Sequence, residues 1–198
     1  MTDLIPDNRN KVAYAIGKLF HPYLICIPTL LVLLNDIPFQ EMLGWLIIIV
    51  SILLTPLLLA GKYLERREKY LYQRESRGPI YVTFWISLMG CLIVIQSLNA
   101  PRTLIAAILA LALWVPIQLA INSYITKVST HAAVIAGCAT GLLLVGKLDN
   151  PIALLVVSAA VIATLWARVV TKNHTIPQVV MGLLVGVLPI LIIFSLML

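Results

Sequence analysis

Charge is what this chain has least of. Only 11% of its 198 residues are Asp, Glu, Lys or Arg, where a soluble domain of this length carries about a quarter. The chain therefore reads as an integral membrane protein. Cysteine is scarce too. Cys26, Cys91 and Cys138 all fall inside apolar runs, with no CxxC pair and no Cys/His cluster, so they read as small buried hydrophobes and no metal site is expected. There is no linker and no low-complexity tract, which implies one domain over 1–198. The stretch from Met1 to Lys18 is polar and lacks the apolar core and cleavage site of a secretory signal, so no processing is expected.

What the chain has in abundance is hydrocarbon, at 61% hydrophobic residues. A spanning helix needs about 20 mostly apolar residues. Seven stretches qualify, at 16–35, 41–61, 79–98, 102–125, 131–147, 150–170 and 177–198, the fifth of them short. Asn35-Asp36-Ile37-Pro38, Asn99-Ala100-Pro101 and Asp149-Asn150-Pro151 mark tight turns between them. The expected fold class is all-α, a polytopic transmembrane helix bundle of about six to seven spans.

The net charge of +6 would suit nucleic acid if it were spread over the chain. It is not. With seven spans, one face carries Arg9, Lys11, Lys18, Lys62, Arg66, Arg67, Lys69, Arg74, Arg77, Lys127, Arg168 and Lys172, and the other only Arg102 and Lys147. The positive-inside rule assigns the rich face to the cytoplasm. The 62–78 loop interleaves its charges with Leu and Tyr, as a helix lying in the membrane interface does.

The same parity brings three polar segments to one side. The first is the 62–78 loop. The second is Lys127-Val128-Ser129-Thr130-His131, where Ser129 is a natural N-cap for the fifth span. The N–H groups of that helix start would bind an anion readily, with His131 in the first turn. The third runs from Arg168 to His174, with Pro177 in the first turn of the last span. Arginine grips phosphate oxygens bidentately, and a histidine beside it can act as nucleophile or proton carrier. Taken singly, each has a plainer reading: a headgroup-level histidine, a snorkelling cation, an ordinary topology-setting cluster.

Together the segments resemble the type 2 phosphatidic acid phosphatase superfamily, whose motifs are Lys-x6-Arg-Pro, then Pro-Ser-Gly-His, then Ser-Arg-x5-His-x3-Asp. The counterparts here are Lys69-x7-Arg77-Gly78-Pro79, Val128-Ser129-Thr130-His131 and Ala167-Arg168-x5-His174-x3-Gln178. The resemblance covers about 62–186. It implies a lipid phosphatase in which His174 attacks phosphorus and His131 protonates the leaving oxygen. Arg168, Lys69, Arg74 and Arg77 would hold the phosphate oxygens, with Ser129, Thr130 and nearby backbone N–H groups. No metal or cofactor is implied. The partner would be a membrane lipid, either a phosphatidic acid-like lipid or an isoprenoid diphosphate.

The departures matter. Gln178 stands where the family places the Asp that orients the nucleophile, Thr130 replaces Gly, and Ala167 replaces Ser. The run His174-Thr175-Ile176-Pro177-Gln178-Val179 is similar to the variant in the dolichyl-diphosphate phosphatase branch. A catalytically degenerate lipid-binding or scaffold protein is the rival reading. A small transporter is a third, opposed by the lack of charge at mid-membrane. Gly137-x-x-x-Gly141 and Gly182-x-x-x-Gly186 lie just past the two histidines and would allow close helix approach. His21, beside Pro22, belongs to no motif and reads as an interfacial residue. Gln118 and Asn122 read as structural hydrogen-bonding groups.

Overall fold

The computed structural model describes residues 8–66 and 77–198. Eight helices run through them: α1 (Asn8–Leu19), α2 (Pro22–Leu33), α3 (Phe39–Arg66), α4 (Arg77–Ser97), α5 (Arg102–Tyr124), α6 (Thr130–Leu144), α7 (Pro151–Val170) and α8 (Ile176–Met197). No strand occurs among the described residues. The protein is all-α and polytopic. Helices α3, α4, α5, α7 and α8 are each long and apolar enough to cross a membrane. The α1–α2 pair adds a sixth span if counted as one, and α6 is an apolar helix of 15 residues. Lys69 and Arg74 lie outside the described residues, as does most of the basic loop. The interfacial helix expected there therefore has no description; α3 continues to Arg66 and Arg77 opens α4.

The expected span at 16–35 is not one helix. It bends by 50° between Leu19 and Pro22. The cause is local: Pro22 has no N–H to continue the ladder and disfavours helical backbone at His21. The chain restarts there, and the His21 carbonyl accepts from the N–H groups of Leu24 and Ile25. Upstream, the polar stretch forms a helix of its own. Ala13 and Gly17, four apart, are buried, while Lys11 and Lys18 stay exposed.

The three tight turns fall where their residues place them. Asn99 adopts φ 54°, a left-handed conformation Asn tolerates better than most residues. The Asn150 side chain accepts from Ile152 N–H at 2.8 Å and Pro151 opens α7. This is the capping arrangement that such a pair favours.

By packing, the chain forms two compact units: Met1–Thr29 with Val128–Leu188, and Leu30–Lys127 with Pro189–Leu198. In the second, α4 packs against both α3 and α5. Small residues Ala106, Ala110 and Ala112 of α5 are buried there with Leu104 and Ile108. Several of its polar groups are satisfied internally, as hydrocarbon surroundings favour, although the buried Trp114 Nε1 has no hydrogen-bond partner among the described residues. Trp85 Nε1 donates to the Ala112 carbonyl at 3.0 Å. Gln118 and Asn122 both donate to the Tyr81 hydroxyl, at 2.7 and 3.2 Å. Those two residues thus make the structural hydrogen bonds expected of them.

In the first unit, α7 packs against both α1 and α6. Helix α6 is rich in small buried residues, among them Ala132, Ala133, Ala136, Gly137 and Gly141. Cys26 and Cys138 are in side-chain hydrogen-bond contact, with Thr29 alongside Cys138, and neither forms a disulfide. Helix α8 approaches α6 closely. A Cβ added at Gly182 would stand 2.6 Å from the Ser129 carbonyl oxygen, and one at Gly186 would overlap the Ala133 carbonyl. Helix α8 thus meets α6 backbone to backbone, which only glycine permits.

Candidate functional site

The first unit gathers the polar residues of two of the three segments. Ser129 caps α6. Its backbone is extended, its hydroxyl accepts from Ala132 N–H at 3.4 Å, and the residue is fully buried. Its own N–H donates to the Gln178 carbonyl at 3.3 Å. This bond and the glycine contacts hold the first turn of α8 against the first turn of α6. Thr130 and His131 open α6 behind this cap, both half-buried.

Arg168 lies in the last turn of α7. The chain then turns sharply. Thr171 closes the helix, and Lys172 takes φ 55°, the left-handed conformation common just past a helix end. Lys172 N–H bonds to the Val169 carbonyl at 3.0 Å and His174 N–H to the Arg168 carbonyl at 3.2 Å. The five intervening residues are what this reversal needs, and it returns His174 to the turn that carries Arg168. Lys172→Gly should stabilise the protein by about 1 kcal/mol, because glycine holds a positive φ without the Cβ conflict. A thermal shift in detergent checks this, and an unchanged or lowered midpoint would count against strain at this turn.

His131, His174 and Arg168 come together. Arg168, His21 and His174 all lie close enough to His131 to act on it electrostatically. The Arg168 guanidinium lies along Gly17 of α1; a Cβ there would be 3.6–3.7 Å from its nitrogens and carbon. The Arg168 Nε is buried and has no hydrogen-bond partner among the described residues. A buried donor of this kind calls for an acceptor.

Gln178 was expected to orient His174. Its amide oxygen accepts from Thr175 N–H at 3.2 Å, which places it as the third residue of α8 reaching back to the residue before the helix. This is half of a capping box. Arg77 belongs to the other compact unit.

Two contributors were not legible as site residues. The Gly17 carbonyl accepts a hydrogen bond from the His131 ring. The His21 ring meets the His131 ring edge-on, with centroids 5.3 Å apart and planes at 86°. His21 is therefore not simply an interfacial residue. The signal was its position just before Pro22 in an apolar stretch, where the backbone had to break.

Chemically, a buried arginine donor, a helix N-terminus and more than one imidazole are groups able to hold a tetrahedral anion and to carry protons. Among the described residues, no group of three or more His, Cys, Asp or Glu could hold a metal ion. No family model, no curated protein and no solved structure matches the chain.

Proposed function

We propose that the protein is a membrane phosphatase that removes phosphate from a lipid phosphate or an isoprenoid diphosphate through a phosphohistidine intermediate. The observation that carries this reading is the convergence of His131, His174 and Arg168 at the adjoining starts of α6 and α8 and the end of α7. The motif resemblance supports it independently.

In the proposed reaction a ring nitrogen of His174 attacks phosphorus as the bond to the lipid oxygen breaks. His131 gives that oxygen its proton. Water then attacks the phosphohistidine, His131 takes a proton from it, and phosphate leaves as the nitrogen–phosphorus bond breaks. Arg168 spreads the charge that builds on the phosphoryl oxygens. The first-turn N–H groups of α6 assist, and Ser129 contributes by holding that turn in place. Lys69, Arg74 and Arg77 are proposed as further phosphate ligands. The site is proposed to face the cytoplasm, from the distribution of Lys and Arg.

The rival reading, a lipid-binding protein without turnover, is favoured by the uncharged Gln178 where the resembled family places Asp and by the loose first motif. A panel of phosphatidic acid, lysophosphatidic acid and prenyl diphosphates separates the two. Wild-type protein should release phosphate from at least one, and His131→Ala should lose about 10²–10⁴-fold in turnover, as removal of a general acid does. Binding of the same lipids without any phosphate release would establish the rival. A cysteine at position 172 should resist impermeant thiol reagents in intact cells; labelling from outside would overturn the sidedness.

A further inference from the structure

We infer that His21, carried on the break between α1 and α2, is a positioning residue for His131, and that this break is a built part of the site. The inference rests on the proposed phosphatase reading for its kinetic consequence, but its geometry stands alone. Three observations bear on it.

The first is the ring contact. The His21 and His131 centroids are 5.3 Å apart with planes at 86°, the edge-to-face arrangement aromatic pairs prefer. His21 is itself steadied from its own side by Tyr23, with centroids 5.1 Å apart at 39°.

The second is the Gly17 carbonyl, one helical turn before His21, which accepts from the His131 ring. That bond places the proton on one ring nitrogen and leaves the other for substrate. A carboxylate often does this work for a catalytic histidine; here the last turn of a broken span does it.

The third is the packing that fixes this turn. Helix α1 lies on α7, with the Arg168 guanidinium along Gly17 and Tyr14 near enough to act on Arg168. An unbroken 16–35 helix would carry its backbone carbonyls into its own ladder. At the 50° bend the His21 N–H turns to the Lys18 carbonyl at 3.3 Å, one residue past Gly17, so the Gly17 carbonyl does not receive the bond a continuous helix would give it. The bend, the Gly17 acceptor and the His21 ring thus arise from one cause, the His21-Pro22 step.

The test compares His21→Ala, His21→Gln and His21→Phe with wild type in detergent micelles, on whichever lipid phosphate the wild type hydrolyses. His21→Ala and His21→Gln should lower kcat by about 10- to 100-fold, the scale of a mis-set catalytic group, with KM within about threefold. His21→Phe, which keeps an aromatic ring but cannot titrate, should recover most of kcat. A kcat within twofold of wild type in both ring-less variants, or no recovery in His21→Phe, overturns the inference.

A second readout needs no turnover. In ¹⁵N-histidine-labelled protein, the His131 ring should hold one tautomer in wild type and His21→Phe, and a mixture in His21→Gln. If wild type hydrolyses nothing, the phosphatase reading falls while the ring spectra still decide the role of His21. Should His21→Ala fail to fold, the Gln and Phe variants decide it alone.

Discussion

His174→Ala is expected to abolish phosphate release, with a loss of roughly 10⁵-fold or more. Loss of a covalent nucleophile removes the two-step route entirely, and in enzymes that use one, little but binding and charge stabilisation survives. Arg168 and the α6 N-terminus remain in the variant, so lipid phosphate should still bind, with KM changed little. Quenching wild type in alkaline detergent while it turns over a ³²P-labelled substrate should trap a base-stable phosphoprotein that loses its label in acid and is absent from His174→Ala. Turnover surviving within about tenfold would remove His174 from the nucleophilic role, and phosphate found on another residue would move that role elsewhere.

The second large effect is structural. Gly186→Leu is expected to lower activity about 100-fold or more without touching a residue that contacts substrate. Even a methyl at Gly186 would overlap the Ala133 carbonyl. Neither helix can yield without moving the other, because the added Cβ is fixed to the α8 backbone and the atoms it meets are α6 backbone. Overpacking of this kind costs about 1–3 kcal/mol for a single methyl and more for a larger side chain. The displacement falls on the two helices whose starts hold His131 and deliver His174, and about 1 Å there is enough to disturb in-line attack. Gly90→Ala provides the comparison, since a Cβ at Gly90 meets nothing within 4 Å. It should leave both thermal midpoint and activity near wild type. A Gly186→Leu protein as stable and active as Gly90→Ala would mean that α6 and α8 do not cross as described.

Much of this architecture can be read from the chain. Apolar length marks the long helices, and Asn-Pro and Asn-Ala-Pro steps mark turns, because lipid forces every backbone polar group into a helix or out to water. The Ser129 cap and the Arg168-x5-His174 reversal are local, each closed by hydrogen bonds spanning six residues or fewer. Local chemistry is what a linear reading handles best. The Gly182-x-x-x-Gly186 pair announces a close approach, though not which helix it approaches.

What could not be read depends on residues far apart in sequence. His21 and His131 are 110 positions apart, and Gly17 lies further still from Arg168. Nothing in either residue's neighbours names the other. A histidine outside every motif attracts no weight, although His21-Pro22 does announce a break. Gln178 is a different case. Its side chain had two chemically reasonable uses, a partner for His174 or a cap for α8, and a bond from Thr175 N–H to its oxygen makes the cap. Capping needs only a side chain three residues along the same helix, so it costs little conformational freedom.

The shortness of α6 couples the proposed chemistry to the lipid around it. Fifteen residues rise about 22 Å, against a hydrocarbon slab about 30 Å thick. If the His131 end must meet water to admit a phosphate, the Val145–Leu148 end falls some ångströms short of the opposite headgroups. The Lys147 side chain can reach across part of that gap, and local thinning of the bilayer makes up the remainder at a fraction of a kcal/mol per ångström. Membrane thickness thereby becomes a variable to which the geometry of the histidines responds, with thicker, sterol-like bilayers drawing the mouth of the site inward and thinner ones releasing it.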